Sequence, residues 1–189
     1  EAQYAHHHLK GKKQDFFWRL DTPDRLGQAG IDKIGLGALI GLSDSWRVDC
    51  FMVAEHLLWL QHHYWQSRYS ISFPRLRPCA GGIEPASLMD EKQLVQVICA
   101  FRLFSPDIEL SLSTRESPWF RDNVIPLAIN NVSAFSKTQP GGYADDHPEL
   151  EQFSPHDARR PEAVADALRE RGLQPVWKDW DGWLGRASQ

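Results

Sequence analysis

The sequence predicts an α/β protein whose parallel strands and outer helices form one half of a β/α barrel. Short apolar runs alternate with amphipathic helices at intervals of roughly 30 to 40 residues, which is the order of repeated βαβ units. The run at residues 33–40 is almost wholly apolar, as expected for a strand buried on both faces of a parallel sheet. About four such strands are present, which is too few to close a barrel of eight.

The amino-terminal part of the chain supplies two of the helices and two of the strands. Thr22 and Pro23 predict the start of a short helix, with Thr22 as its N-cap, that ends at Gly30. The strand at 33–40 is followed by a helix over about residues 46–65. The predicted apolar face of that helix consists of Phe51, Ala54, Leu57, Leu58 and Trp65. A second strand, 69–74, ends at Pro74.

The carboxyl-terminal part continues the alternation. Asp90 is the predicted N-cap of a helix that turns four apolar residues inward, namely Leu94, Val97, Ile98 and Phe101. A strand near 108–113 leads to a helix opened by Ser117 and Pro118, and a strand near 129–134 follows. We expect residues 1–135 to hold the half-barrel units. Residues 136–189 are expected to complete the same domain with a long polar loop, a helix closed by Gly172, a strand at 173–177 and a tryptophan-rich tail.

Composition excludes several classes of function. The 189 residues include 42% hydrophobic and 24% charged residues, and the net charge is -4, so a general binder of nucleic acids or membrane surfaces is not expected. Neither an apolar run of transmembrane length nor a secretion signal is predicted. Cys50, Cys79 and Cys99 are widely spaced, which indicates reduced thiols of a cytoplasmic protein rather than a disulfide or a metal site.

Polar and basic residues follow the predicted strands, where ligands of α/β folds bind. They lie in “GLSD” at 41–44, “FPRLRP” at 73–78 and “STRE” at 113–116. Because arginine forms two parallel hydrogen bonds with a carboxylate, the pattern predicts a small anionic ligand such as an amino acid. Three glycines fit either tight packing against a helix or the close approach of a planar ligand, namely Gly35, Gly37 and Gly41.

The same stretches resemble the carboxyl-terminal half of the 2-iminoacetate synthase family, the tyrosine lyases of thiamine biosynthesis in the radical S-adenosylmethionine superfamily. The similar strings are “GIDKIGLGALIGLSD”, “SFPRLRP”, “ELSLSTRESPWFRD”, “NNVSAFSKTQPGGYADDHPELEQFSPHDARRPEAV” and “PVWKDWDGWLGRASQ”. The resemblance covers nearly the whole chain in order. The tyrosine lyases of hydrogenase maturation are also similar at “SFPRLRP” and “STRE”.

The resemblance implies a (β/α)8 barrel of which this chain is the carboxyl-terminal half. It implies that a 4Fe–4S cluster and S-adenosylmethionine produce a radical that takes hydrogen from the amino group of L-tyrosine. The Cα–Cβ bond then breaks, giving 2-iminoacetate (dehydroglycine) and p-cresol. The expected electron donor depends on NADPH, and the expected partner is the thiazole synthase that uses the product. Neither nucleic acid nor a membrane is an expected partner.

The resemblance also assigns roles to residues near the strand ends. Arg115 is expected to bind the tyrosine carboxylate, with Ser113 and Thr114 as hydrogen-bonding neighbours. The residues expected to contact S-adenosylmethionine are Arg19, Leu39, Ile40, Gly41, Pro74, Arg75 and Arg77. By the resemblance, Arg19 occupies a position of the fourth strand of the barrel.

The sequence departs from this family in one respect. It contains no CxxxCxxC loop, and its three cysteines have the wrong spacing to replace that loop. We therefore expect no cluster ligands in this chain and no activity of the chain by itself. Two alternatives stay open: a related radical lyase that acts on tyrosine or another aromatic amino acid, and a non-catalytic fragment that binds a partner.

Overall fold

One parallel sheet of four strands organises the protein. The computed structural model describes residues 2–11, 14–76, 83–138, 142–143 and 155–177. The strands are β1 (Lys33–Leu36), β2 (Arg68–Ser72), β3 (Glu109–Leu112) and β4 (Asn131–Val132). They lie in the order β1-β2-β3-β4, and each neighbouring pair is parallel. Consecutive strands are therefore neighbours, and their carboxyl ends meet at one edge of the sheet.

Helices precede the sheet and connect its strands. The first three are α1 (Ala2–His7), α2 (Phe16–Leu20) and α3 (Thr22–Gln28). The connections between strands contain α4 (Trp46–His63), α5 (Glu91–Phe104) and α6 (Pro118–Ala128), and α7 (Pro161–Glu170) follows the last strand. No helix among the described residues combines the length and the apolar character needed to cross a membrane.

Local capping signals explain where the helices begin and end. Asp90 accepts a hydrogen bond from the Gln93 amide, and the Gln93 side chain accepts one from the Asp90 amide, which completes a capping box at α5. Ser117 caps α6 by accepting from the Phe120 amide. Gly172 follows α7 with a φ of 76°, in the left-handed region that glycine tolerates. The predicted cap at Thr22 was wrong by one residue, because α3 begins at Thr22 and Asp21 is its N-cap.

The two faces of the sheet differ in chemistry. Side chains that face the helices are buried, among them Ile34, Leu36, Ile71, Leu110 and Leu112. Residues on the opposite face, the open face, are small or polar and are half-buried or exposed, among them Lys33, Gly35, Ser70, Ser72, Glu109, Ser111 and Asn131. This period of two is that of a strand with one covered face. The expectation that β1 is buried on both faces was therefore wrong.

The core lies between the sheet and helices α4, α5 and α6. Leu94, Val97, Ile98 and Phe101 are buried as predicted, and Leu57 and Leu60 of α4 join them. Each fully buried aliphatic side chain stabilises the fold by about 1.5–3 kcal/mol relative to its exposed state. The core is therefore one layer, covered by helices on one side.

The predicted apolar face of α4 was only partly right. Leu57 is buried, but Phe51, Leu58 and Trp65 are 61%, 46% and 82% exposed. At about 100° per residue, Phe51 and Leu58 lie about 100–120° around the helix from Leu57, outside the narrow stripe that contacts the sheet. Trp65 lies beyond the end of α4. Hydrophobicity alone does not indicate which side of a helix faces the sheet.

All four strands are shorter than their predicted ranges. In particular, β1 ends at Leu36, and Ile40 returns to the sheet in a separate parallel bridge with Arg75. The strand predicted at 173–177 was wrong, since those residues are irregular and Trp177 is exposed. The rest of the tryptophan-rich tail and most of the polar loop before α7 lie outside the described residues.

Candidate active site at the carboxyl ends of the strands

The “STRE” residues lie at the end of β3 and continue its alternation of exposure. Ser113 and Arg115 are half-buried, like Glu109 and Ser111 of the open face, whereas Thr114 and Glu116 are buried, like the helix-facing residues. The Arg115 amide donates to Ser113 Oγ over 3.4 Å. The three residues predicted to bind substrate therefore divide into two sets. Ser113 and Arg115 follow the open face, and Thr114 follows the covered face.

Thr114 has a buried hydroxyl group. Its Oγ1 atom has no hydrogen-bond partner among the described residues. Its carbonyl oxygen accepts from the His156 and Asp157 amides, over 2.9 and 3.1 Å. Thr114 thus contacts the segment that precedes α7 through its backbone.

Arg75 and Glu116 join the ends of β2 and β3. Arg75 Nε donates to Glu116 Oε1 over 3.0 Å, and Arg75 Nη2 donates to Glu116 Oε2. Arg75 Nη1 donates to the Met89 carbonyl over 2.8 Å, so each guanidinium nitrogen has a protein partner. Both side chains are largely buried. The predicted contact of Arg75 with a cofactor must therefore be compatible with this bidentate ion pair.

A second buried network joins α6 to the segment before α7, and sequence reasoning missed it. Arg121 and Asp157 are fully buried and form an ion pair. Arg121 Nη2 donates to the Ser133 carbonyl, just after β4, whereas Arg121 Nε has no partner among the described residues. Arg159 donates to Asp157 from Nε and Nη2 over 2.9 and 2.7 Å, and to both Asp122 oxygens over 3.1 and 2.9 Å. No sequence signal separates Asp157 from the other charged residues around it.

The network shifts the pKa values of three of its members, of which Asp157 and Arg159 move toward the charged form and Arg121 moves against it. Burial raises the pKa of Asp157, but the hydrogen bonds and charges of Arg159 and Arg121 outweigh burial and hold that pKa below its ordinary value. Hydrogen bonds to Asp157 and Asp122 raise the pKa of Arg159. Burial lowers the pKa of Arg121, against the opposing effect of Asp157. Two carboxylates and two guanidinium groups thus balance one another within the fold.

The residues predicted to contact a nucleoside lie at the ends of β1 and β2. The Ile40 amide donates to the Pro74 carbonyl over 2.8 Å, and the Leu76 amide donates to the Ile40 carbonyl over 2.7 Å. The Leu39 side chain remains partly exposed. Gly41 has a φ of 100°, and a Cβ there would lie 2.9 Å from the Ser87 carbonyl oxygen. Close packing within the chain therefore requires glycine at position 41.

Gly37 is constrained in a similar way. A Cβ at Gly37 would lie 2.7 Å from the Ser72 carbonyl oxygen. The close neighbour belongs to the adjacent strand rather than to a helix, which corrects the packing interpretation of the sequence. Because protein backbone already occupies this space, no ligand is needed to explain the glycine.

Of the arginines predicted to contact the cofactor, Arg19 is described by the structure and Arg77 is not. Arg19 lies in the last turn of α2, with an exposed side chain, so the expectation that it stands on a strand was wrong. Asp15 caps this helix and accepts from the Trp18 amide over 2.9 Å. Arg77 lies outside the described residues.

A strained aromatic residue lies three positions beyond the end of β4. Phe135 has a φ of 52°, in the left-handed region that bulky residues rarely adopt. Lys137 Nζ and Arg160 Cζ lie 5.5 and 6.0 Å from the centre of its ring. Residues in such conformations are concentrated at functional sites, which agrees with the position of Phe135 at the strand ends.

The described residues do not suit an iron–sulfur cluster. No three His, Cys, Asp or Glu side chains among them are arranged to hold a metal ion. Cys50 and Cys99 are free thiols, and burial, together with the charge of Asp49, raises the pKa of Cys50 to about 11. Such a thiol is a poor source of the thiolate that iron requires. Cys79 lies outside the described residues.

Comparisons with known proteins agree with the predicted resemblance. The chain is 88% identical over all 189 residues to the 2-iminoacetate synthase of Salmonella typhimurium, and 87% identical to that of Escherichia coli. It spans about half the length of these curated relatives.

Solved structures of HydG, a maturase of the FeFe-hydrogenase, share the fold. One superposes with a TM-score of 0.85 at 34% identity, covering 98% of this chain and 40% of HydG. HydG from Carboxydothermus hydrogenoformans superposes with a TM-score of 0.77 at 29% identity, covering 93% and 40%. The prediction that the chain is an α/β half of a radical S-adenosylmethionine barrel is thereby confirmed.

A family model agrees with the curated relatives. The model described as the Biotin and Thiamin Synthesis associated domain matches residues 72–174, which is more than half of the chain. This range includes β3, β4, the “STRE” residues and the segment before α7. The chain belongs to the Biotin and Thiamin Synthesis associated domain family.

Proposed function

We propose that this chain is the carboxyl-terminal half of a 2-iminoacetate synthase, which cleaves the Cα–Cβ bond of L-tyrosine to 2-iminoacetate and p-cresol. The identity of 88% to such a synthase over the whole chain supports this reaction. The proposal includes that this chain by itself is inactive, because its sequence contains no CxxxCxxC loop to bind the cluster.

The position of Arg115 carries the proposal. Arg115 is a half-buried residue just beyond β3, in the alternation of the open face, between two residues whose positions are fixed. Thr114 is bonded through its carbonyl to residues 156 and 157, and Glu116 through its carboxylate to Arg75. A cation held in this way is suited to bind a carboxylate through two parallel hydrogen bonds.

Arg115 and Ser113 bind and orient the amino acid. With the carboxylate bound by Arg115, the amino group and the side chain of tyrosine can take one orientation, and such positioning accounts for a large part of catalysis. S-adenosylmethionine, together with a 4Fe–4S cluster held by other residues, supplies the hydrogen abstraction that starts the cleavage. Thr114 contributes through its carbonyl bonds, which hold the end of β3 in place.

The strand ends next to Arg115 are the proposed nucleoside site. They fit such a ligand in one respect, since Leu39 exposes an apolar side chain beside the fixed backbone of Ile40. The proposed contacts of S-adenosylmethionine are Leu39, Ile40, Gly41, Pro74, Arg19 and Arg77, and Arg75 is proposed to support them. In this arrangement Arg75 keeps its pair with Glu116 and acts by holding β2 and β3 together.

The wider setting of the reaction is part of the proposal. We place the enzyme in the cytoplasm, with reducing equivalents from an NADPH-dependent donor. Because 2-iminoacetate hydrolyses readily as a free imine, direct transfer to the thiazole synthase is the proposed fate of the product.

Substitution of Arg115 tests the proposed function. In the full-length enzyme, Arg115→Ala is expected to lower p-cresol formation at least about a hundredfold, because the carboxylate loses its fixed partner. The absorption spectrum of the iron–sulfur cluster is expected to stay unchanged. Arg169→Ala is the matched control, because Arg169 is an exposed arginine of α7 paired with Asp166. Normal p-cresol release by Arg115→Ala would remove Arg115 from the site.

The likeness to HydG favours a second candidate, a related radical lyase with a different product or aromatic substrate. Competition between tyrosine, tryptophan and phenylalanine, followed by product analysis, separates the two. Turnover of tyrosine to p-cresol and glyoxylate, the hydrolysis product of 2-iminoacetate, supports the synthase. Preferred turnover of another amino acid supports the second candidate.

A further inference from the structure

Residues 155–160, here called the clasp, run past the end of β3 and bond to it. The amides of His156 and Asp157 both donate to the carbonyl oxygen of Thr114, over 2.9 and 3.1 Å. Thr114 immediately precedes Arg115, whose guanidinium is the proposed carboxylate-binding group. The clasp therefore fixes the peptide group from which Arg115 extends.

Asp157 anchors the clasp. Its side chain is completely buried and accepts hydrogen bonds from the guanidinium groups of Arg121 and Arg159. Its Oδ1 atom also accepts from the Arg159 amide over 3.1 Å, which closes a tight local turn. Four hydrogen bonds to one buried carboxylate, from two guanidinium groups and one amide, fix its position and with it the two amides that hold Thr114.

The same network reaches the neighbouring strand end. Arg121, which pairs with Asp157, donates to the Ser133 carbonyl just beyond β4. Arg159 ties the clasp to Asp122 of α6 through two hydrogen bonds of 3.1 and 2.9 Å. The clasp is thus attached to β3, to the end of β4 and to α6. Movement of Asp157 would shift the end of β3 relative to its neighbours.

The arrangement has consequences for substrate geometry. A misplacement of about 1 Å at a reacting group lowers the rate about a hundredfold, because the reactants leave the attack geometry. Arg115 has one fixed neighbour on each side, Glu116 held by Arg75 and Thr114 held by the clasp. Loss of the clasp would leave only one of these two supports.

We propose that Asp157 is a positioning residue for the amino-acid carboxylate, which aims Arg115 by holding the Thr114 carbonyl through the clasp. This inference rests on the proposed function, and it adds to that function a residue that does not touch the substrate. It predicts that Asp157 affects tyrosine more than S-adenosylmethionine, whose proposed contacts lie at β1, β2 and α2.

The test uses Asp157→Asn in the full-length enzyme with its cluster. The dissociation constants of tyrosine and S-adenosylmethionine are measured separately, and amide hydrogen exchange is followed at residues 113–117 and 156–157. Asp166→Asn is the matched control, because Asp166 is an exposed aspartate of α7 paired with Arg169. Arg159→Gln is a second variant that removes one cation from Asp157 and leaves the Arg121 pair, so it tests the clasp if Asp157→Asn does not fold.

The expected result is selective. The tyrosine dissociation constant rises about tenfold to a hundredfold, while that of S-adenosylmethionine changes by less than about twofold, since distant sites act independently. Exchange at residues 113–117 and 156–157 accelerates, and Asp166→Asn changes neither quantity. An unchanged tyrosine affinity in a folded variant, or equal weakening of both ligands, would overturn the inference.

A parallel Arg115→Ala measurement separates this inference from the proposed function. If Arg115→Ala abolishes tyrosine binding and neither clasp variant weakens it, the inference is wrong and the proposed function stands. If Arg115→Ala leaves tyrosine binding intact, the proposed site is wrong, and the positioning role of Asp157 is rejected with it.

Discussion

At the amino ends of the strands, Arg68 and Asp32 form an ion pair whose side chains are 52% and 58% exposed. At the carboxyl ends, Arg75 pairs with Glu116 and Arg121 with Asp157 in nearly complete burial. Water screens the first kind of pair, which contributes about 0–1 kcal/mol. The buried kind tolerates no missing partner, because an uncompensated charge would remain in the interior. The buried pairs therefore hold the carboxyl ends of the strands more firmly than the Arg68–Asp32 pair holds the amino ends.

This contrast matches the location of the candidate site. Arg115 lies among the buried pairs, and its two chain neighbours are the residues to which those pairs and the clasp attach. A carboxylate-binding group needs a fixed position, and the buried pairs around Arg115 supply one. The two ends thus use the same residue types for different purposes.

The largest expected effect comes from breaking a pair at the carboxyl ends. Glu116→Gln removes the charge that compensates Arg75 and should lower the free energy of unfolding by about 3–5 kcal/mol. Urea-induced unfolding measures this loss. A loss below about 1 kcal/mol would show that this pair behaves like a surface pair and would abolish the contrast between the two ends.

Lowering the pH should destabilise the carboxyl ends of the strands, because Asp157 becomes protonated. Because the folded-state pKa of Asp157 is lowered, its carboxylate contributes stability that is present above its unfolded pKa of about 3.9 and is lost as the pH falls through the lowered pKa. When the free energy of unfolding is measured from neutral pH into acid, the difference between wild type and Asp157→Asn should narrow below about pH 4. A gap independent of pH would contradict the ionic role of Asp157.

Adding a methyl group to the backbone just beyond β1 should have a smaller effect on the free energy of unfolding. In Gly37→Ala, the new Cβ would meet the Ser72 carbonyl and should cost about 1–3 kcal/mol in unfolding free energy. Gly35→Ala is the matched control, since its Cβ would lie 3.3 Å from the rotatable Ser70 hydroxyl. Equal losses in the two variants would show that the carboxyl side of β1 is no more tightly packed than the strand itself.

The smallest effect is expected at the amino ends. Arg68→Ala removes the exposed pair with Asp32 and should change the unfolding free energy by no more than about 1 kcal/mol. The same urea titration provides the measurement, repeated at high salt, where the wild-type and variant curves should converge. A loss as large as that of Glu116→Gln would contradict the comparison.

Much of the fold could be predicted because its signals are local. The caps at Asp90 and Ser117 and the glycine after α7 depend on residues within one helical turn. The alternation of strands and helices likewise needs only short-range periodicity. The exposed face of α4, with Phe51 and Leu58, could not be predicted in this way, because contact with the sheet selects the buried stripe.

For the candidate site too, local features could be predicted and contacts between distant residues could not. “STRE” was singled out because it follows a predicted strand, where ligands bind in α/β folds, and the family resemblance assigned the carboxylate to Arg115. That role stays a prediction. The roles of Arg75 and Asp157 depend on partners far along the chain, since Arg75 and Glu116 are separated by 41 residues and Arg121 and Asp157 by 36. No pattern within a short window connects such residues.

The sequence by itself determined the order of the four strands and the helices between them, the starts of α5 and α6 and the placement of an arginine after a strand, since each depends on a few neighbouring residues. Only the tertiary structure decided which face of the sheet is covered, which arginines are already paired and which loop holds Thr114. These features depend on burial, and burial exists only after distant segments have packed together and excluded water from the charges between them.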